Sequence, residues 1–577
     1  MRHWLEKTFK ITDWVYDYGR DELFGDLKAG LTTGIMLIPQ GMAYAVIAGM
    51  PPIYGLYAGV IPLLTYPFFG TSNHLSVGPV AVDMLIVGAG VSALAASSSS
   101  EFVGLVLLLT LMTGILQLLM GTFRLGALFN FFSRPVIAGF TMAAPIIIAF
   151  SQANNLLGTN LADTQYVALI IQEALQNLDQ IHLYTFSWGL AAIFLLIILR
   201  YTVPKLPASA LVLALGILVS WSLGLDGKTV KILGTIPKGL PDITLPSLST
   251  ENLRRLLPTA LTLALVQFMS IASLGKTFAK RHNYLVDSNH ELVAIGASNF
   301  MGSIFNALPV SGSFSRSAAA EQAGVKTPAA NFVTATIIVL TLLFLTPLFY
   351  YLPMPVLAAI IIVVVFGLID LEEIKFLFKA KKSDGFIAAF TFICTLLIGI
   401  QEGILLGIGA SMLTMLYKYS RPAVAELGII PGTRVFKNIK RNPEAQRING
   451  LLLLRVDASF SFINAEFFRD FIIERSEEQS KNTRFVIIDG SSINMLDTTA
   501  TDSLKSIIKT LEKWDMELYL TGLKGPVRDV IKNAGLREYL GENHYWQNPH
   551  EAVEYILEQM DAEDDGQRSE RYDEISD

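Results

Sequence analysis

Two stretches of this sequence interrupt long apolar runs with residue types suited to holding an anion. The first is Leu75-Ser76-Val77-Gly78-Pro79-Val80-Ala81-Val82-Asp83. The second is Leu308-Pro309-Val310-Ser311-Gly312-Ser313-Phe314-Ser315-Arg316-Ser317. Ser, Gly and Pro just ahead of an apolar run are helix-start signals. The two stretches lie about 235 residues apart, in corresponding places of two halves of an apolar region. Paired Gly/Pro-interrupted segments of this kind mark inverted repeats whose half-helices meet near the bilayer midplane. Each half-helix start offers unpaired N–H groups and about half a positive charge, so two facing starts make an anion site. Arg316 adds a cation, and Ser311, Ser313 and Ser315 add hydroxyl donors. The plainer alternative has Arg316 reaching toward one membrane face and the serines capping a helix.

The elements that position these residues are membrane spans. The chain has 577 residues, is 52% hydrophobic and only 16% charged, against about 25% charged in soluble domains. No Lys or Arg occurs between Ala29 and Phe123. At about 20 apolar residues per helix, roughly fourteen spans fit between Asp26 and Ser420. Phe102–Met120, Trp188–Ile198, Ile337–Tyr350 and Phe386–Ile400 are the plainest. Lys and Arg cluster in alternate connections, with Arg124 and Arg134, Arg200 and Lys205, Lys276 to Arg281, Lys326, and Lys375 to Lys382 on one side. The excess of basic residues on cytoplasmic loops then predicts an even number of spans and both termini inside. A net charge of −6 speaks against nucleic acid. The single cysteine, Cys394, allows neither an internal disulfide nor a Cys-based metal site. No metal site, cofactor or enzymatic constellation is expected.

After Arg421 the pattern changes. Leu451–Val456, Phe485–Ile488 and Glu517–Leu520 read as short strands, and Ala465–Gln479, Ala500–Lys513 and Pro526–Ala534 as helices, which predicts a small α/β domain. The expected division is a cytoplasmic lead-in at 1–25, a membrane domain at 26–421, a linker at 422–448, the α/β domain at 449–560 and a disordered acidic tail at 561–577.

Longer motifs carry a resemblance. Ile38-Pro39-Gln40-Gly41-Met42-Ala43-Tyr44-Ala45 and Ala48-Gly49-Met50-Pro51-Pro52-Ile53-Tyr54-Gly55-Leu56-Tyr57 resemble the signature of the SulP sulfate permeases and their animal anion-exchanger relatives. Ser76–Val80, Asp287–Leu292, Gly312–Ser317 and Ala323–Thr327 match further family stretches, and the likeness runs from about Asp26 to Leu557. It implies fourteen spans in two inverted sets of seven, a core domain moving against a gate domain, and a cytoplasmic STAS domain that helps form a homodimer. It implies an anion held between the starts of spans three and ten, near Ser76, Gly78 and Val80 on one side and Ser313, Phe314, Ser315 and Arg316 on the other. Gln40 and Tyr44 would line the site. Gly41, Gly49, Gly55 and Gly59 would permit sliding contacts. Sulfate is the leading substrate, with bicarbonate, chloride or a small dicarboxylate as alternatives. A nucleobase permease and a transport-inactive sensor signalling through its STAS domain are further readings.

Two departures matter. Proton- and sodium-coupled relatives carry an acid on span eight where Ser270 stands here, and a neutral hydroxyl leaves the coupling ion, H+ or Na+, without its usual ligand. Asp83, one helical turn after Pro79, is the replacement candidate: a carboxylate repels a nearby anion and a carboxylic acid does not. The plainer alternative is a protonated or capped Asp hydrogen-bonded to a neighbouring helix. In the soluble domain, Met495-Leu496-Asp497-Thr498-Thr499-Ala500 resembles the STAS turn whose first hydroxyl is phosphorylated. Thr498 holds that place, and a structural cap is the favoured role for it.

Overall fold

The structure is a computed structural model that describes residues 10–560, apart from 17, 127–132, 160–166, 204–206, 226–228, 368 and 481. The acidic tail, Lys205 and the first nine residues lie outside the described residues. The chain divides into two compact units, Met1–Ser411 and Met412–Asp577.

In the first unit, eight helices among the described residues are long and apolar enough to cross a bilayer. Six shorter or less apolar ones, Ala81–Ser92, Ala208–Ser222, Ser288–Ile304, Phe314–Ala323, Lys382–Leu397 and Ile400–Ser420, complete the fourteen segments expected. The first helix, α1 (Arg20–Ile47), begins six residues before the expected boundary. The expected uniform span over Ile337–Tyr350 is instead a helix to Leu340, a π-turn at Thr341–Leu345 and a 3-10 turn at Thr346–Tyr351. Pro347 lacks the N–H that a continuous helix needs there.

Two of the fourteen are half-helices entered through extended backbone. Strand β1 (Val77–Gly78) leads to α2 (Ala81–Ser92), followed by α3 (Ser100–Thr122). In the second half, α4 (Thr250–His282) and α5 (Ser288–Ile304) precede β2 (Ser311–Gly312) and α6 (Phe314–Ala323). Pro79 and Pro309 bias the residue before them away from helical backbone, which keeps both lead-ins extended. The lead-ins are pinned by buried side chains. Glu291 accepts from Tyr66 Oη (2.8 Å), Thr71 N (2.6 Å) and Ser72 N (3.0 Å). Asp26 accepts from Lys326 N (2.8 Å) and Thr327 N (2.9 Å) after α6. Asn331 bonds both Val77 N (3.2 Å) and the carbonyl of Leu75 (3.1 Å).

Gly41 and Gly55 meet backbone to backbone: a Cβ on Gly55 would lie 1.8 Å from the Gly41 carbonyl oxygen. This contact packs the first helix closely against the Pro52–Tyr57 segment.

The second unit is built on a six-stranded sheet in the order β4-β3-β5-β6-β7-β8. Its elements are β3 (Val424–Ile429), β4 (Phe436–Asn438), β5 (Gly450–Val456), α7 (Ala465–Glu478), β6 (Thr483–Asp489), α8 (Thr498–Glu512), β7 (Glu517–Thr521), α9 (Gly525–Asn533) and β8 (Tyr545–Trp546). Strands β5 to β8 run parallel, and β3 is antiparallel to β4 and β5. One face packs on α7, α8 and α9 through Phe468, Ile472, Leu504, Ile508 and Val527. Ala552, Val553 and Ile556 cover the other. The stretch 422–448, expected to be a linker, is therefore part of the sheet: β3 pairs with β5 from Val424↔Val456 to Leu427↔Leu453. Its short strands are separated by turns and charges, which hid the alternation.

Candidate anion site

The two half-helices meet. Strand β1 pairs antiparallel with β2, Val77 opposite Gly312 and Gly78 opposite Ser311. Two further bonds extend the crossing: Ser313 N donates to the Ser76 carbonyl (3.0 Å), and Ser76 N donates to Ser317 Oγ (2.9 Å). The starts of α2 and α6 are thereby fixed side by side. Val80, the residue ahead of α2, provides no side-chain cap, so the first N–H groups of α2 stay available. At α6, Ser313 Oγ accepts from Arg316 N at 3.5 Å.

Arg316 is 0% exposed. Its guanidinium donates from Nη1 to Gln40 Oε1 (3.2 Å) and from Nη2 to the Pro79 carbonyl (3.1 Å). Among the described residues Nε has no hydrogen-bond partner, and neither do the buried hydroxyls of Ser76 and Ser311. Among the described residues no carboxylate forms an ion pair with it. Burying an unpaired charge costs several kcal/mol, and charges kept at this depth mark pathways or sites. The cation is tied to both halves at once, since Gln40 and Pro79 belong to the first and Arg316 to the second. Gly78 makes the approach possible: a Cβ there would lie 2.8 Å from Arg316 Nη2. Tyr44 is buried at 4% exposure and is an electrostatic neighbour of Arg316.

The structure thus brings together Gln40, Tyr44, Ser76, Gly78, Ser313 and Arg316. Val80 is half-buried at the start of α2, and Ser315 bonds Ser313 hydroxyl to hydroxyl at 3.4 Å. Phe314 opens α6 directly after Ser313, with 60% of its surface exposed. Ser270 turns its hydroxyl back onto the Val266 carbonyl (3.1 Å), an ordinary intrahelical bond. Asp83, 1% exposed, accepts from Gln267 Nε2 (3.1 Å). Sequence reasoning missed Gln117, Gln267 and Asn299, whose one signal is an isolated amide inside an apolar helix.

In the soluble unit, Thr498 is the first residue of α8, but the cap is Asp497. Its carboxylate accepts from Ala500 N (2.9 Å) and Phe462 N (2.7 Å). The capping role expected of Thr498 belongs to its neighbour, because Asp497 occupies the extended position from which a side chain reaches the first turn.

The sulfate permease family matches residues 23–391, and the STAS domain matches residues 442–552. The chain belongs to the sulfate permease family. It is 34% identical over 575 residues to the chloroplastic sulfate transporter 4.1 of Arabidopsis thaliana, covering 97% of this chain and 84% of that protein. It is 31% identical over 538 residues to the probable sulfate transporter Rv1739c of Mycobacterium tuberculosis, covering 93% of this chain and 96% of that one. The fold matches that of the murine anion transporter Solute Carrier 26 family member A9, with a TM-score of 0.89, 24% identity, and coverage of 96% of this chain and 95% of that one. This permease is therefore a multi-pass α-helical membrane protein with a STAS domain attached.

Proposed function

We propose that this permease carries sulfate across the membrane as a secondary transporter. One observation carries the reading: Arg316 is wholly buried, has no acidic partner, and is fastened to the crossing of two half-helices. That arrangement is stable enough to persist and is completed by an anion. A tetrahedral oxyanion can accept the guanidinium fork while its other oxygens face the N–H groups at the starts of α2 and α6. A dianion gains more from this positive potential than a monoanion of similar size. Sulfate relatives spanning nearly the whole chain support the same choice.

Transport requires the site to open to each face in turn. The half-helices, their lead-ins and the side chains pinning them form one bonded unit, so the anion moves with that unit against the remaining helices. We read both termini as cytoplasmic from the lysine-rich connections, with the STAS domain helping two copies to assemble. Purified protein in liposomes, assayed for radiolabelled sulfate counterflow, tests the reading. Wild-type protein is expected to exchange sulfate, and Arg316→Ala to lose at least tenfold in affinity. A charge-assisted bond contributes about 1.5–3 kcal/mol, and about 1.4 kcal/mol is a decade. Equal sulfate binding by folded Arg316→Ala protein would contradict the site.

A further inference from the structure

Behind the anion site lies a chain of buried side-chain amides that ends on Asp83. Gln267 Nε2 of α4 donates to Asp83 Oδ2 (3.1 Å). Gln267 Oε1 in turn accepts from Gln117 Nε2 of α3 (2.8 Å) and Asn299 Nδ2 of α5 (3.0 Å). Asn299 Nδ2 also reaches Gln117 Oε1 (2.9 Å). Asn299 Oδ1 accepts from the backbone N–H of Val310 (2.7 Å), the residue before β2. Gln117, Gln267 and Asn299 are each 0% exposed. Amides are costly to bury unless paired, so this set persists because each member satisfies the next.

The direction of donation along the chain is dictated by its end. An ionised carboxylate only accepts, so Gln267 must point its NH2 at Asp83, which leaves its carbonyl for Gln117 and Asn299. A protonated Asp83 keeps one oxygen able to accept from Gln267 and gains an O–H that needs an acceptor of its own. Where Gln267 supplies that acceptor it turns its amide, which withdraws Oε1 from Gln117 and Asn299. Asn299 is the residue that holds the entry to β2, and β2 is paired with β1 at the anion site.

We infer that Asp83 binds and releases the proton that accompanies the anion, and that Gln267, Gln117 and Asn299 relay its protonation state to the β1–β2 crossing. The inference rests on the sulfate-carrier reading and adds its coupling. The proton comes from hydronium on one face and returns to water on the other; one O–H bond forms at Asp83 and the same bond breaks. The groups around Asp83 suit the role. Among the described residues no cation forms an ion pair with it. Gln267 of α4 is the side chain that bonds it. The helices packed against α2 are α1, α3, α4 and Arg134–Ser151, and the charge on the last of these, Arg134, is paired with Glu373 (2.5 Å). The site itself supplies Gln40 and Tyr44 from α1, and its cation, Arg316, binds the Pro79 carbonyl four residues earlier in the chain. Ionised, Asp83 opposes an arriving dianion; neutral, it does not.

The test uses the full chain in proteoliposomes, with sulfate counterflow at equal pH measured beside sulfate accumulation driven by an inward proton gradient. Wild-type protein is expected to show both. Asp83→Asn is expected to keep counterflow and lose gradient-driven accumulation. Asp83→Asn protein that still accumulates sulfate on a proton gradient overturns the inference. If Asp83→Asn fails to fold, Asp83→Glu carries the test: it should keep the coupling with a displaced pH profile, and an unchanged profile overturns the assignment. Absence of wild-type counterflow would instead strike the sulfate reading. Counterflow without any response to the proton gradient would strike only the coupling.

Discussion

Gly78→Ala separates the geometry of the crossing from its chemistry. Gly78 has φ of +148°, a region that costs an L-residue about 1–3 kcal/mol, and that strain falls on folding. The added Cβ would also meet Arg316 Nη2 at 2.8 Å and Arg316 Cζ and Leu37 Cδ1 at 3.4 Å. The guanidinium is the part that can yield, and yielding draws Nη2 off the Pro79 carbonyl it now reaches at 3.1 Å. Losing that charge-assisted bond is worth about 1.5–3 kcal/mol, and it moves the cation away from the helix starts, so sulfate affinity should fall about tenfold or more. Isothermal titration of detergent-purified protein with sulfate reads the binding loss, and thermal unfolding reads the strain. Gly104→Ala is the control. It lies mid-helix, and a Cβ there meets nothing within 4 Å, so it should bind normally and be stabilised slightly. A Gly78→Ala protein that folds and binds sulfate like wild type would refute the claim that this glycine lets Arg316 into the site.

Gly55→Ala should be worse tolerated than Gly78→Ala, because its Cβ would fall 1.8 Å from a backbone oxygen that no rotamer change can move; expression with size-exclusion chromatography checks this, and a monodisperse, stable variant would contradict it. In the soluble domain, burial works against the charge of Glu426, but hydrogen bonds from Arg447 (2.6 Å) and Gln479 (3.2 Å) hold its carboxyl below the ordinary carboxylate range. That stabilisation is present above the unfolded carboxylate pKa and fades as pH falls through the folded value. Glu426→Gln should therefore lose on the order of 0.5–1 kcal/mol at neutral pH and flatten the acid side of the domain's unfolding-versus-pH curve; an unchanged slope would contradict the pairing.

Much of the site was legible because its signals are local. Pro79 and Pro309 stop the preceding residues from coiling, Gly78 and Gly312 keep the backbones bare, and Arg316 stands out in an apolar run. The spans were legible through their length and lack of charge. What escaped needed partners far away in sequence. Strands β1 and β2 have two residues each, too short to show a period, and exist only because they pair with each other. The amides Gln117, Gln267 and Asn299 are unremarkable singly and become a network only when three helices meet. Glu291 and Asp26 are each 0% exposed and hold a loop from the opposite half of the membrane unit, partners that nothing in their local sequence reveals. The sheet strand at Val424–Ile429 was hidden for the same reason, since its apolar positions matter only against β5.

The central claim is a place: an anion held where α2 and α6 begin, beside Arg316. Structure determination of the full protein in selenate, an electron-dense stand-in for sulfate, locates it directly. The account predicts density within hydrogen-bond distance of the N–H groups that open the two half-helices and of the Arg316 guanidinium. Ordered selenate elsewhere in the membrane unit, with that position lacking density at saturating concentration, would contradict it.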